Sequence, residues 1–510
     1  MTALTPRSSS LLLLACAVLS GGVARAETAL FSLAVGYNGA PADADPGSVR
    51  PLRYADDDAA AFHQLARGLT RRSQLLAILD PDTQARFPGL AQEAGPPTLA
   101  GIDRAVEALN RQLAAASQAG LEPVVLVFYS GHGRRREDGP ASLTLLDGEL
   151  TQKVLYEHIL GALQARYVHL LVDACHAEAV VHPRDAQAAV VDAAPADVAS
   201  YLSEKTLARF PHVGAIVAST SSAQAHEWDV YQRGVFTHEV LSGLRGAADV
   251  DGNGQIEYSE LAAFLAAANR SVRDPRARLE TVVRPPPLNP RAPLADLRGL
   301  PAVSRLRGQP AGLGVLSIED ARGARLLDVR TEPGFAVNLV VPSGETLFVR
   351  SQDREAEVTL APGQTQSIER LAFRASGVRP RDALDSSLRR GLFATGFGPA
   401  YYRGFVDRSA DLVPVDLAAH DGVDAEVTAA PGPRRVNWWV TGAAGALAAG
   451  AGVFTGLALD ARRDYQRAPF ERDSLAARDR YDRDRSWAIG LGSAAVVAAG
   501  VGLWLWWQSQ

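Results

Sequence analysis

Two short segments of the sequence end in residue types that can form a nucleophile and its base. Residues 124–133 read VVLVFYSGHG, with His132 between two glycines, and residues 168–176 read VHLLVDACH, with Cys175 near the end. Each segment begins with the unbroken apolar run of a buried parallel strand, and ligands of open α/β sheets bind beyond the carboxyl ends of the strands. A histidine beside a thiol raises the fraction of reactive thiolate. The pattern therefore predicts Cys175 as a nucleophile and His132 as its base, with the backbone N–H groups of Gly133 and Cys175 as an oxyanion site.

The number of cysteines bears on this prediction. The chain has two, and Cys16 lies in a predicted secretory signal peptide over residues 1–26, which has a basic start, a short apolar stretch and small residues up to Ala26. The alternative is a lipoprotein cleavage box at residues 13–16. Cleavage after Ala26 leaves Cys175 as a lone thiol that cannot form an internal disulfide, so it is either a small buried residue or a reactive group.

A third segment, DVDGNGQIEYSE at residues 249–260, has the residue types and spacing of a calcium-binding EF-hand loop. Side-chain oxygens occupy positions one, three and five, a backbone carbonyl serves at position seven, a glutamate stands at position twelve, and Gly254 allows the sharp turn. The predicted ligands of Ca²⁺ are Asp249, Asp251, Asn253, Gln255 and Glu260. EF-hands usually work in pairs and one copy is visible, so the alternative is a polar turn between two helices.

The elements that would position these residues alternate between strands and helices from residue 27 to about residue 285. The predicted strands cover residues 30–35, 75–79, 124–129, 167–172 and 215–218, and the predicted helices cover residues 57–69 and 98–118. This alternation predicts an α/β fold with a mostly parallel sheet flanked by helices.

The composition changes after this part of the chain. A proline-rich linker is predicted over residues 285–311. Short alternating strands with regularly spaced turn signals then predict a small β-sandwich module over residues 312–371. Residues 372–436 have no regular pattern and are predicted to be an irregular linker.

The C-terminus is predicted to be a hairpin of two transmembrane helices, at residues 437–459 and 487–507. Both segments are uncharged and long enough to span a bilayer, and six of the seven tryptophans lie at their ends. Residues 460–486, between them, carry eight arginines, so the positive-inside rule predicts a cytoplasmic loop. The N-terminal domain would then lie on the periplasmic side of a bacterial inner membrane.

The overall composition is that of a folded protein, with 47% hydrophobic and 21% charged residues. The net charge is −5, and no run of basic residues forms a patch for nucleic acid. No nucleic-acid partner is therefore expected.

The motifs SGHG after one strand and DACH after the next resemble those of caspases, metacaspases and bacterial caspase-like peptidases. The opening LFSLAVGYN with LRYADDDAAAF, and the later GVFTHEVLSGLRGAADVDGNGQIEYSEL, also resemble bacterial members. The resemblance covers about residues 29–270. It implies a caspase-like peptidase domain over residues 27–284, protein or peptide substrates, His132 as general base and Cys175 as nucleophile.

The resemblance also implies a specificity pocket. In metacaspases an early acidic residue and the aspartate two positions before the cysteine line the primary pocket, and these positions match Asp58 and Asp173. Two carboxylates there would favour cleavage after Arg or Lys. Asp58 belongs to the acidic run 56–58, which can instead cap the helix that begins there. The family often continues Asp-Ser-Cys-His-Ser-Gly, whereas this chain has Ala174 and Ala177.

Together these observations predict a membrane-anchored, caspase-like cysteine endopeptidase with calcium dependence. The main alternative is a catalytically inactive caspase-fold scaffold that binds calcium or partners and signals at the membrane. A further alternative is a structural envelope protein whose β-sandwich module binds a periplasmic partner.

Overall fold

The structure is a computed structural model of the chain. It describes residues 27–41, 44, 49–135, 141–174, 209–219, 227–272, 279–298, 300, 303–351, 354–375, 391–417 and 480. The predicted signal peptide and both predicted transmembrane helices lie outside these residues. Among the described residues no helix is both long and apolar enough to cross a membrane.

The N-terminal part of the chain contains short and long strands with helices between them. In chain order the strands are β1 (Thr28–Tyr37), β2 (Arg72–Ala77), β3 (Glu122–Gly131), β4 (Gly133–Arg135), β5 (Ala141–Leu145), β6 (Gly148–Thr151), β7 (Tyr167–Asp173), β8 (Val213–Ser219), β9 (Glu227–Trp228), β10 (Arg233–Gly234), β11 (Gln255–Ile256), β12 (Glu280–Arg284) and β13 (Ala295–Asp296). The helices are α1 (Ala55–Leu69), α2 (Pro81–Arg86), α3 (Leu90–Glu93), α4 (Leu99–Gln118), α5 (Gln152–Val154), α6 (Val235–Ser242) and α7 (Tyr258–Asn269). Two π-helical turns, Leu155–Leu160 and Gly243–Ala247, continue α5 and α6.

Six of these strands form the central sheet, in the order β2-β1-β3-β7-β8-β12. Neighbouring strands are parallel, except that β12 runs antiparallel to β8. The predicted α/β fold with a mostly parallel sheet is therefore confirmed. The edge strand β12 reverses direction, which the sequence pattern did not predict.

Apolar side chains cover both faces of the sheet, which explains why its central strands are apolar without interruption. On one face Phe62 of α1 stacks on Phe128 of β3, with ring centroids 4.6 Å apart. On the other face α4 contributes the fully buried Ile102 and Leu109. The N-terminus of α4 is capped by Thr98, whose hydroxyl accepts the N–H of Gly101 at 2.9 Å.

A second group of strands follows. In chain order they are β14 (Ser304–Gly308), β15 (Leu316–Asp320), β16 (Arg325–Val329), β17 (Val337–Val341), β18 (Thr346–Ser351), β19 (Arg354–Thr359), β20 (Thr365–Ser367) and β21 (Arg374–Ala375). They form a five-stranded sheet in the order β16-β15-β18-β19-β21 and a three-stranded sheet in the order β17-β14-β20. We call residues 304–375 the β module.

The structure differs from the predicted linker at residues 285–311. Strand β14 lies inside this stretch, and β13 pairs antiparallel with β11. Prolines lack a backbone N–H, but the residues between them keep theirs. Leu294 and Leu297 accordingly donate to the carbonyls of Ile256 and Gly254, at 2.8 and 2.7 Å.

The β module also shares its core with the α/β part. Leu306 and Leu327 belong to the same buried apolar cluster as Phe236 and Leu244. Within the predicted irregular linker 372–436, helix α8 (Pro399–Val406) packs on α7, and Tyr402 donates its hydroxyl proton to Ser259 Oγ at 2.9 Å. A helix of eight residues is too short to leave a clear periodic pattern in the sequence.

Candidate active site

The two strands that lead to the candidate catalytic residues are neighbours in the sheet. β3 and β7 are parallel, and Ser130 pairs in register with Asp173. Ser130 and Asp173, the first residues of the SGHG and DACH motifs, therefore lie side by side at the carboxyl edge of the sheet, where α/β folds bind ligands. Cys175 lies outside the described residues, which stop at Ala174 and resume at residue 209.

The backbone of His132 is fixed by the hairpin that follows it. Its carbonyl accepts the N–H of Thr144 at 2.9 Å, and Gly133 begins strand β4, which pairs with β5. The Nε2 atom of His132 is buried and has no hydrogen-bond partner in the described part of the chain. Burial lowers the pKa of His132 to about 4. The imidazole is therefore neutral at physiological pH, which is the form that accepts a proton.

The acidic run at the start of α1 does not cap that helix. Asn38 takes this role, because its Oδ1 accepts the N–H of Ala55 at 2.7 Å. Asp56 accepts from the Asn38 amide at 2.6 Å, and Asp57 forms a buried ion pair with Arg86. Asp58 turns toward the edge of the sheet. The alternative interpretation of Asp58 as a helix cap is therefore not supported by its hydrogen bonds.

Asp58 and Asp173 come together beside the end of β3. Asp58 Oδ2 accepts the hydroxyl proton of Ser130 at 2.8 Å, and Oδ1 accepts the N–H of Gly234 at 2.9 Å. Asp173 Oδ2 accepts from the N–H and the hydroxyl of Thr237, at 3.1 and 2.6 Å. A Cβ atom on Gly234 would lie 2.3 Å from Asp173 Oδ2 and 2.9 Å from Asp58 Oδ2. Both carboxyl groups therefore lie against the segment that opens α6, and we call them the acidic pair.

Burial makes the acidic pair hard to ionise. It raises the pKa of Asp173 to about 6. It raises the pKa of Asp58 well above its ordinary value, and the nearby charge of Asp173 raises it further. Two like charges in a shared site resist simultaneous ionisation, so the pair favours a cation that enters beside it.

One cation already lies near the acidic pair. Arg233 precedes Gly234, is buried, and interacts electrostatically with Asp58. This attraction lowers the pKa of Asp58, although burial and Asp173 have larger effects in the opposite direction. With both carboxyl groups ionised, the three side chains still carry one net negative charge.

The sequence analysis gave no role to three residues that the structure brings to this site. Ser130, Gly234 and Thr237 supply the hydrogen bonds and the space that the acidic pair requires. Ser130 belongs to the SGHG motif, and Gly234 and Thr237 belong to the segment GVFTHEVL. The sequence contained no indication that these residues face Asp58 and Asp173, because the contacts join distant parts of the chain.

The loop at residues 249–260 brings three carboxylates together. Asp249, Asp251 and Glu260 are buried and each has an oxygen within 4.8 Å of the others. Asp249 Oδ2 accepts the N–H of Gly254 at 3.1 Å, whereas its Oδ1 is buried without a partner among the described residues. Burial and the charge of Asp251 raise the pKa of Asp249 to about 7. A cation at this cluster would satisfy the unpaired oxygen and offset the repulsion.

The remaining predicted ligands lie in the same loop. Glu260 Oε1 and Oε2 accept the N–H groups of Val250 and Glu257, at 2.9 and 2.8 Å. Asn253 Oδ1 accepts the N–H of Gln255 at 2.6 Å. These bonds close the loop on itself, and of the five predicted ligands Asp249, Asp251 and Glu260 have carboxylate oxygens close to one another.

The described structure also provides a strand that pairs with this single loop. β11, at the centre of the loop, pairs antiparallel with β13, and the two flanking hydrogen bonds come from Leu294 and Leu297. The segment after β12 therefore supports this loop through backbone hydrogen bonds.

Comparison with known proteins finds similarity to one protein family. Residues 41–286 match the family model of the caspase domain. No curated protein matches the sequence significantly. Among solved structures, a crystal structure of a protein from Geobacter sulfurreducens is similar over 53% of this chain and 99% of that chain, with 17% identity and a TM-score of 0.31, a score too low to support any conclusion. The family match covers the strands that lead to the SGHG and DACH motifs, so residues 41–286 are a caspase-like domain, similar to those of the caspase- and metacaspase-like cysteine peptidases.

Proposed function

We propose that this protein is a cysteine endopeptidase that cleaves peptide bonds after Arg or Lys. The observation that carries the proposal is the acidic pair, which lies at the carboxyl edge of the sheet between the strand leading to His132 and the strand leading to Cys175. A substrate residue bound at this pair would bring its scissile carbonyl toward both candidate catalytic residues.

In the proposed mechanism His132 removes the thiol proton of Cys175. The thiolate attacks the scissile carbonyl carbon, and the carbonyl electrons move onto oxygen, where the N–H groups of Gly133 and Cys175 stabilise the charge. The carbonyl then re-forms, the amine leaves with a proton from His132, and water releases the acyl group by the same route. The Nε2 atom of His132 is neutral and has no hydrogen-bond partner among the described residues, which supports its role as base.

Basic specificity would come from Asp58 and Asp173. A guanidinium or ammonium group is the complement of two buried carboxyl groups, and it would lower the pKa of both. An aspartate at the same substrate position would add a third carboxylate to this site, so cleavage after Asp is disfavoured.

We further propose that the loop at residues 249–260 binds Ca²⁺ and that activity depends on it. Asp249, Asp251 and Glu260 would hold the ion with carboxylate oxygens, aided by the Asn253 side chain and the Gln255 carbonyl. α6 and its π-helical turn run from the acidic pair to the start of this loop. The ion would act structurally, by fixing the end of the helix whose beginning binds both carboxyl groups.

The predicted location remains part of the proposal. We propose that the signal peptide exports the peptidase domain and that the C-terminal hairpin anchors it to a bacterial inner membrane, on the periplasmic side. The support for both comes from the sequence alone, because these segments lie outside the described residues.

The test uses the purified full-length protein, with and without calcium, against peptides that differ only at the residue before the scissile bond. We expect cleavage after Arg or Lys that requires calcium and disappears in Cys175→Ala. Cleavage after Asp would keep the nucleophile and refute the role of the acidic pair. Calcium binding without cleavage of any peptide would favour the inactive scaffold.

A further inference from the structure

The β module packs on α6, the helix whose first residues bind the acidic pair. Strand β16 lies along α6, and β17 lies along the π-helical turn Gly243–Ala247. A Cβ atom on Gly246, which has a φ of 106°, would lie 2.4 Å from the carbonyl oxygen of Asn338. The backbones of the two parts are therefore in close contact, as inside one domain.

The centre of this contact is a hydrogen bond between His238 of α6 and Asp328 of β16. His238 Nε2 lies 2.7 Å from Asp328 Oδ2, and the two side chains are 0% and 2% exposed. The backbone N–H of Asp328 also donates to Ser242 Oγ, at 3.1 Å, one turn further along α6. Asp328 thus contacts the same helix at two points.

The charges at this contact are well defined. Burial lowers the pKa of His238 to about 4, so the imidazole is neutral and donates its Nε2 proton. Burial opposes ionisation of Asp328, but Arg325 and the His238 hydrogen bond lower its pKa below the ordinary value. Arg325 lies 3.0 Å from Asp328 Oδ1. An ionised carboxylate and a neutral donor form a strong, directional hydrogen bond.

The contact is adjacent to the acidic pair along the helix. Thr237, which binds Asp173 with both its N–H and its hydroxyl, directly precedes His238. Tyr231 stacks on the face of the His238 ring, at a centroid distance of 3.7 Å. Tyr231 on the ring face and Asp328 at Nε2 together hold the ring, and this fixes the rotation of the first turn of α6.

We propose that Asp328 of the β module is a positioning residue for the acidic pair, acting through His238 on α6. The inference rests on the proposed function, because it assumes that the acidic pair binds a basic substrate residue. It makes the β module a part of the substrate site, although no residue of the module has been assigned a contact with substrate. A rotation of α6 would displace Gly234 and Thr237, and with them the preferred positions of both carboxyl groups.

The test compares Asp328→Ala, Asp328→Asn and Val349→Ala in the full-length protein. Val349 is a fully buried residue of β18, two strands away from β16, so its variant destabilises the module without removing the His238 contact. For a peptide with Arg before the scissile bond, we expect Asp328→Ala to raise KM about tenfold with a smaller change in kcat, the effect of a lost charge-assisted hydrogen bond. Asp328→Asn keeps an oxygen that accepts from His238 and should raise KM only about threefold. Val349→Ala should leave KM unchanged.

A second measurement does not depend on activity. Amide hydrogen exchange at Gly234 and Thr237, whose N–H groups bind the acidic pair, should accelerate at least about tenfold in Asp328→Ala and remain as in the wild type in Val349→Ala. Unchanged KM and unchanged exchange in a folded Asp328→Ala protein would overturn the inference. If that variant does not fold, the same two results for Asp328→Asn would overturn it. A wild-type protein that cleaves nothing after Arg or Lys would refute the proposed function instead, and the exchange rates would still decide whether Asp328 positions α6.

Discussion

Replacement of Asp173 by asparagine separates the charge of the acidic pair from its hydrogen bonds. Asp173 is buried, and one of its oxygens accepts both hydrogen bonds from Thr237. The amide oxygen of asparagine can accept the same two bonds. Asp173→Asn therefore removes one buried negative charge and leaves the local geometry in place.

The magnitude follows from the pKa of Asp173, which burial raises from 3.8 to about 6. A raised pKa means that the folded protein binds its proton more tightly than the unfolded chain, so folding loses stability as pH rises through this window. Each tenfold change in the ionisation constant is worth about 1.4 kcal/mol, which gives about 3 kcal/mol for Asp173. Below about pH 4 the carboxyl is protonated in both states and this term vanishes.

We therefore expect Asp173→Asn to gain stability relative to the wild type as pH increases, by about 3 kcal/mol between about pH 4 and pH 7. Loss of the neighbouring charge also lowers the pKa of Asp58, which acts in the same direction. At neutral pH the same variant should lose most of its cleavage after Arg. Stability and function thus respond in opposite directions, as expected of a strained specificity site.

The assay is urea denaturation followed by circular dichroism at several pH values in this window. The matched control is Asp103→Asn, which removes a half-exposed carboxylate that pairs with His158 on the surface. The control should show no comparable gain, because exposed pairs contribute little. If Asp173→Asn is no more stable than the wild type at neutral pH, the carboxyl is not under the electrostatic strain that we infer.

Three further outcomes are expected. Calcium at about 100 times its Kd should add about 2.7 kcal/mol to the free energy of unfolding, measured as a higher melting temperature. Glu260→Gln should abolish most of this increase. An equal increase in both proteins would exclude the loop at residues 249–260 as the calcium site. Gly234→Ala places a Cβ atom 2.3 Å from Asp173 Oδ2 and should cost about 2 kcal/mol in denaturant unfolding, with unchanged stability arguing against the close approach. Ser130→Ala removes a hydrogen bond that lowers the pKa of Asp58, so the acid limb of the pH–rate profile for an Arg peptide should move to higher pH, and an unmoved limb would contradict that bond.

The features that the sequence predicted well are local. The buried strand β3 is an unbroken apolar run, and the carboxylates that cluster in the loop at residues 249–260 recur at fixed spacing, while calcium binding by this loop stays a prediction. Both patterns arise from neighbours along the chain, so a single sequence displays them. The motifs at the ends of β3 and β7 could be recognised for the same reason.

The features that the sequence did not predict depend on long-range contacts. His238 and Asp328 are 90 positions apart, and a single buried hydrogen bond leaves no periodic pattern. The roles of Gly234 and Thr237 likewise depend on carboxyl groups that arrive from α1 and β7. The stretch 285–311, predicted to be a linker, also contains two short strands that pair with distant partners. The proline-rich sequence gives no local pattern from which this pairing could be predicted.

These contacts change where the peptidase unit ends. A chain cut after residue 300 would keep the strands and loops that resemble a caspase, but it would remove Asp328 from His238 and expose the apolar face of α6 that packs on Leu327. It would also remove Tyr402, whose hydroxyl donates a hydrogen bond to Ser259 on the helix that follows the loop at residues 249–260. Residues 27–417 contain the contacts described here on both sides of α6. Helix α6 contacts the β module and the acidic pair, and its π-helical turn leads into the loop at residues 249–260. Substrate specificity, module packing and any response to calcium are therefore expected to be linked through this one helix.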